Sequence, residues 1–327
     1  MQDRLGRMAL TQLTGAGDSE GEVTGCFYDP IKLTLNGNRY TFDFTDVLPM
    51  RDMAGRHEDG VLGNSALLKR PLIISFSGGY LQNISKLNAR ALEGYTRLEA
   101  RFVNGLIHVK ASLMVDKETC VEGWWLFDTG CGPALLLTSE TASRIRLEGR
   151  PQARYRNQSG GVGGATSDVR IRAQRLSMGG DTLGNVVVSC YENQSGALSS
   201  SEYVGVLGCP VLSHYDFILD RAHGAVYLRR VSDHRDHTVC STRHMFWVDR
   251  TDICDGWIIN GLYDNGLVDR AGIAIGDTIL ALNGRPVKEI PREEQSTLTL
   301  QGPTRFLIRH PGGQEQEYTL DLGPDIL

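Results

Sequence analysis

The stretch WWLFDTGCGPALLLT, residues 124 to 138, sets an aspartate, a threonine and a glycine between two apolar runs. A carboxylate there is costly to desolvate unless neighbours hold it or chemistry uses it. Asp128 is therefore the first candidate for general acid–base work, with Thr129 and Gly130 as the residues that hold it. Glycine at 130 lets the backbone turn tightly against the carboxylate. The run Gly160, Gly161, Gly163 and Gly164 is a second candidate. It lacks the Lys-Ser/Thr and the GxGxxG spacing of phosphate-binding loops and reads as a loop between strands. His234 and His237 have a His-x-x-His spacing but sit in the polar stretch SDHRDHT, where solvation is the expected fate. The seven cysteines show no CxxC and no zinc-like spacing, so neither a metal nor another cofactor is expected.

The elements that must position Asp128 are β-strands. The chain has 327 residues, with 38 glycines against 11 prolines and many short Val/Leu/Ile runs, a composition that favours strands and turns. The net charge of −5 gives no basic field for nucleic acid or anionic membranes. No apolar run is long enough to span a bilayer, and MQDRLGRMALTQLTG shows no secretory apolar segment. Cys240 with Cys254 is a weak disulfide candidate, an odd count leaves at least one thiol unpaired, and the compartment stays undecided.

An internal repeat organises the rest. DGVLGNSALLKRPLIISFSGGYL, residues 59 to 81, is echoed by VGVLGCPVLSHYDFILDRAHGAVYL, residues 204 to 228; Gly60 matches Gly205 and Gly63 matches Gly208, each 145 positions apart. Upstream, residues 14 to 37 resemble residues 159 to 180. Between the copies, LEARFVNGLIHVKASLMV alternates apolar and polar residues around Asn104-Gly105, a hairpin signal. Trp124 and Trp125 fall on opposite faces of a strand, one for the core and one for a contact.

The C-terminal part changes character. GWIINGLYDNGLVDRAGIAIGDTILALNGRPV, with Ala271-Gly272, Gly276-Asp277 and Asn283-Gly284 in succession, resembles a PDZ domain. That resemblance implies a peptide groove, with Phe246, Trp247 and Val248 nearest by position to its carboxylate-binding loop. The glycines usual in that loop are absent, so a groove used only for packing stays open as an alternative.

The ordered set of apolar strand, Asp128-Thr129-Gly130, glycine-rich loop and, 77 positions after Asp128, Gly205-Val206-Leu207-Gly208 resembles one lobe of a retropepsin-like aspartic protease. The resemblance covers residues 8 to 231, in the form found in bacterial proteins with an attached PDZ domain. It implies two carboxylates sharing a proton, Thr129 bonding across to the other lobe, Leu207 and Gly208 beneath the Asp loop, and glycines 160, 161, 163 and 164 as a flap. Cys131 departs from the Ala, Ser or Thr usual there.

The expected architecture is mostly β: a first lobe over 1–94, incomplete and lacking an Asp-Thr-Gly, a second over 95–231, a linker over 232–239 and a PDZ domain over 240–327. The expected function is aspartic endopeptidase on an extended polypeptide, with a further peptide ligand for the PDZ groove. The alternative is a non-catalytic peptide-binding scaffold. Transferring the Asp128-to-Gly205 spacing to the first copy puts its aspartate at position −17 (60 − 77). An upstream extension is the favoured reading, with a homodimer or a pseudo-protease as the others; an upstream signal segment would place the protein in the bacterial envelope.

Overall fold

The computed structural model describes residues 8–13, 22–48, 60–157, 166–192, 195–231, 246–249, 255–295, 302–322 and 327. Gly160, Gly161, Gly163 and Gly164, the histidines at 234 and 237, Cys240 and Cys254 lie outside these residues. The chain is mostly β. In order come β1 (Met8–Leu13), β2 (Glu22–Phe27), β3 (Ile31–Leu35), β4 (Asn38–Phe42), β5 (Thr45–Asp46), α1 (Asn64–Leu67), β6 (Leu72–Ser75) and β7 (Tyr80–Asn83). There follow β8 (Thr96–Val103), β9 (Leu106–Met114), β10 (Cys120–Phe127), β11 (Leu135–Leu137), α2 (Ser139–Ala142), β12 (Ala153–Asn157), β13 (Thr166–Met178) and β14 (Asp181–Tyr191). Then come β15 (Gly205–Leu207), α3 (Cys209–Leu212), β16 (Tyr215–Asp220) and β17 (Ala225–Arg230). The C-terminal unit holds β18 (Phe246–Asp249), β19 (Trp257–Tyr263), α4 (Leu267–Arg270), β20 (Thr278–Leu282), β21 (Arg285–Pro286), α5 (Arg292–Gln295), β22 (Pro303–Arg309) and β23 (Glu315–Asp321).

Asn-Gly pairs turn three of the hairpins. Asn36-Gly37, Asn104-Gly105 and Asn283-Gly284 all take positive φ, the conformation a two-residue hairpin loop with the strands' own twist requires.

The two copies of the repeat meet in one antiparallel sheet, in the order β7, β6, β16, β17, β8. Ile73 pairs with Ile218, Leu72 with Leu219 and Ile74 with Phe217. The local two-fold of that ladder shifts every residue by 145, the offset read from the sequence. It carries α1 (64–67) onto α3 (209–212) residue for residue.

Asp216, wholly buried, ties the copies together. It accepts hydrogen bonds from the Ser77 amide (3.1 Å) and hydroxyl (2.8 Å) and from Arg229 (2.9 Å). Burial pushes its carboxyl up, but Arg229 and Ser77 outweigh that and hold it below the usual range. Because the native value lies below the unfolded one (about 3.9), its stabilisation is present above that value and lost as pH falls through the native one. Asp216→Asn is expected to cost about 2 kcal/mol near neutral pH, and the gap to wild type should close as pH falls through the native value. Thermal unfolding across pH checks this; a gap independent of pH would contradict it.

The strands of the second copy are extensively paired with one another. β9 pairs with β8, β10 and β13; β14 pairs with β13 and β11; β15 lies between β10 and β11. Its core gathers Trp125, Phe127, Leu135, Leu137, Leu176, Leu207, Phe217 and their neighbours. Among the described residues of the first copy, β1, β2 and β5 form a small sheet and β3 pairs with β4. Val61 and Leu62 are 78% and 43% exposed, whereas their equivalents Val206 and Leu207 are 4% and 0% exposed. Leaving a Val or Leu side chain in water forgoes roughly 1.5–3 kcal/mol relative to burial.

The C-terminal unit packs Trp257, Ile259, Val268, Ile279, Phe306 and Ile308 into its own core. It is joined to the second copy by strand pairing, with β12 running antiparallel to β19 (Tyr155 opposite Tyr263, Asn157 opposite Gly261). A methyl on Gly261 would sit 2.0 Å from the Tyr155 hydroxyl. Arg170 of β13 seals the joint. Its guanidinium stacks 3.8 Å from the Tyr155 ring and donates to the Tyr263 hydroxyl (2.8 Å) and to Asp168 (2.9 Å).

Candidate active site

Alternation along β10 sorts its residues: Trp125 and Phe127 enter the core, while Trp124, Leu126 and Asp128 share the other face. Trp125 is fully buried, and the Trp124 ring takes the cations of Arg101 (4.7 Å) and Lys110 (4.8 Å). β10 and β15 run parallel, with Phe127 opposite Leu207, and the ladder ends where the Asp128 amide donates to the Leu207 carbonyl (3.1 Å). The chain turns there: the Gly130 amide donates to Asp128 Oδ1 (2.8 Å) and the Cys131 amide to the Asp128 carbonyl (3.3 Å).

Two further bonds hold the loop to the segment below, from Gly208 N–H to the Ala134 carbonyl and from Cys209 N–H to the Cys131 carbonyl, both 2.9 Å. Only glycine fits at 208, because a β-carbon would lie 1.8 Å from the Pro133 carbonyl oxygen. Asp128 is half-buried and Thr129 is exposed. The Thr129 hydroxyl and Asp128 Oδ2 have no hydrogen-bond partner among the described residues. The carboxylate is thus fixed by one oxygen and open at the other.

A compact apolar cluster adjoins the loop: Cys131, Tyr191, Leu198, Tyr203 and Val206, with Trp124, Leu126 and Leu136 at its margin. Burial and then the charges of Glu202 and Asp128 push the Tyr203 phenol up to about 12. The same two influences, burial and Asp128, raise the thiols of Cys131 and Cys209. Thiols so raised stay protonated near neutral pH and are poor nucleophiles.

Sequence reasoning passed over His108, whose only signal is its place on an apolar-alternating strand. It is 1% exposed, its ring lies 5.7 Å from that of Tyr203, and neither ring nitrogen has a partner among the described residues. Burial first, and then Arg101, lower its pKa. A native value below the unfolded one (about 6.5) means stability declines as pH falls from there towards the native value. His108→Phe should keep the ring contact and flatten that decline, as read from melting temperatures at pH 7 and 5; an unchanged slope would contradict the assignment.

Phe246, Trp247 and Val248 lie in β18, which among the described residues pairs with β19. Val248 is buried, Trp247 is largely exposed and the Phe246 ring packs edge-on against Phe306.

Residues 111–211, from β9 into α3, match the aspartyl protease family. The match covers the Asp128 loop together with the strands that seat it, and supports a peptidase. No curated protein matches the chain. Of the 29 matching solved chains, basic 7S globulin from soybean is 11% identical, with a TM-score of 0.34, covering 70% of this chain and 74% of that one. An HtrA-type protease, AlgW with a decapeptide, is 13% identical, with a TM-score of 0.23, covering 74% of this chain and 82% of that one. Likenesses this slight say nothing about chemistry.

Proposed function

We propose that the chain is a two-lobed aspartic endopeptidase of retropepsin-like type, with residues 240–327 as an attached PDZ domain. The observation that carries this reading is the seat of Asp128: a carboxylate clamped at one oxygen, open at the other and flanked by an apolar cluster, within a segment matching the aspartyl protease family. Two facing carboxylates share one proton. The ionised one takes a proton from water as its oxygen attacks the scissile carbonyl carbon, and the protonated one gives its proton to the carbonyl oxygen. Collapse of the tetrahedral intermediate breaks the C–N bond, with a proton delivered to the leaving nitrogen. The substrate is an extended polypeptide laid along the half-buried Trp124, Leu126 and Leu136 at the margin of the apolar cluster beside Asp128. The Ala271-Gly272, Gly276-Asp277 and Asn283-Gly284 pattern supports the PDZ assignment, and the outer edge of β18 is the place for strand addition.

A non-catalytic scaffold is the second reading, favoured by one fact: the 327 residues hold a single Asp-Thr-Gly and no Asp-Ser-Gly. The test is a mixed library of unstructured peptides, with and without a peptide whose scissile carbon is a tetrahedral alcohol. The enzyme cuts internal bonds, the alcohol blocks it and chelators do not. Peptides that bind and stay intact at every pH, with the protein as its own cell makes it, would favour the scaffold.

A further inference from the structure

We propose that Arg101 and Lys110, set over the Trp124 ring, form a subsite for an acidic side chain of the substrate, about four residues from the bond that is cut. The proposal rests on the protease reading above and names the class of polypeptide this site takes.

Three adjacent strands build the subsite. Lys110 of β9 stands opposite Trp124 of β10, while Arg101 of β8 stands opposite His108, which in turn stands opposite Leu126. Both cations thereby reach one indole, Arg101 at 4.7 Å and Lys110 at 4.8 Å from the ring centroid. All three side chains are half-buried. Two like charges gathered on one ring repel each other, and no carboxylate among the described residues forms an ion pair with either. Glu202 gives Arg101 only its backbone carbonyl. Glu122, the next residue beyond Trp124 on that face, is exposed and bonded to neither cation. Arg101 Nε is buried and has no hydrogen-bond partner among the described residues. The indole face holds the two cations together. A carboxylate brought to them would offset their repulsion and take up a donor that the guanidinium leaves unused. On a chain of net charge −5, this pair is a local feature and not part of a basic field.

Place along the strand decides which substrate residue is read. Trp124 lies four residues from Asp128 on the same face, about 13 Å along β10. Extending the pairing of β9 with β10 by two residues sets Leu106, 43% exposed, level with Asp128. The face is thus apolar and anionic beside the bond being cut and cationic four residues away. An extended peptide advances about 3.3 Å per residue, so its residue about four positions from that bond sits at Trp124. A carboxylate there meets Arg101 and Lys110 and stays clear of Asp128, whose charge would oppose it closer in.

The test uses pairs of peptides cut at one bond and alike except for Glu or Gln four residues from it, on one side of the bond and then on the other. Both kcat/KM and peptide affinity are measured on the protein made from its native gene. On one side Glu is expected to be preferred about tenfold at low salt, mainly through KM. The preference should shrink to about twofold or less at about 0.5 M salt. Arg101→Gln and Lys110→Gln are each expected to bring the Glu-to-Gln ratio towards one, and Lys110→Glu to shift the preference to a peptide with Lys at that position. A ratio of one on both sides in wild type, or a preference that persists in both Gln variants, overturns the subsite while cleavage keeps the protease reading. Peptides that bind with a Glu preference lost in the variants, yet are never cut, bear out the subsite and remove the protease reading.

Discussion

Gly208→Ala is expected to be the most damaging single methyl addition among the described glycines, costing about 3 kcal/mol or more and taking peptide binding at the Asp128 loop with it. The added carbon would lie 1.8 Å from the Pro133 carbonyl oxygen and 2.9 Å from that of Cys131. Both are backbone atoms, and neither has a rotamer to escape into. The loop would have to lift, breaking the bonds from Gly208 to Ala134 and from Cys209 to Cys131 that hold it to the strand below. The neighbouring glycine at 205 is hemmed in similarly, 2.3 Å from the Leu136 carbonyl and 2.7 Å from the Trp125 ring. Denaturant unfolding of the variant checks the size; a loss below about 1 kcal/mol would mean the loop is softer than its bonds imply.

Much of this arrangement was legible in the residues. The Asn-Gly hairpins follow from backbone chirality and were readable one turn at a time. The repeat was readable because Gly-Val-Leu-Gly recurs at a fixed offset, and the pairing of Ile73 with Ile218 gives that offset a two-fold axis. The partition of Trp124 and Trp125 follows from strand alternation, although the cations over the Trp124 ring come from β8 and β9 and are invisible locally. What sequence could not supply were contacts between distant strands. Arg170 lies 93 positions from Tyr263, and nothing in either neighbourhood announces the joint between β12 and β19. His108 and Tyr203 were missed for the same reason: each is an unremarkable residue of its own strand or loop until the fold sets their rings together. The glycines offered as a flap fall outside the described residues, and Thr129 faces solvent rather than a partner among them.

The central claim is that Asp128 performs the chemistry, and Asp128→Asn isolates it. The amide oxygen can still accept from the Gly130 N–H that holds Oδ1 at 2.8 Å, so the loop keeps its shape and the apolar cluster keeps its surface. The amide cannot take a proton from water near neutral or acid pH, and removing a positioned acid–base group costs about 10²–10⁴-fold in rate. Binding of an extended peptide depends on the half-buried Trp124, Leu126 and Leu136 at the cluster's margin and should change less than about threefold. The deciding measurement is therefore cleavage of one such peptide by wild type and Asp128→Asn, made from the native gene, with peptide affinity taken on the same preparations. Turnover that falls by about a thousandfold with affinity retained is the result expected; turnover that survives the substitution would contradict the account.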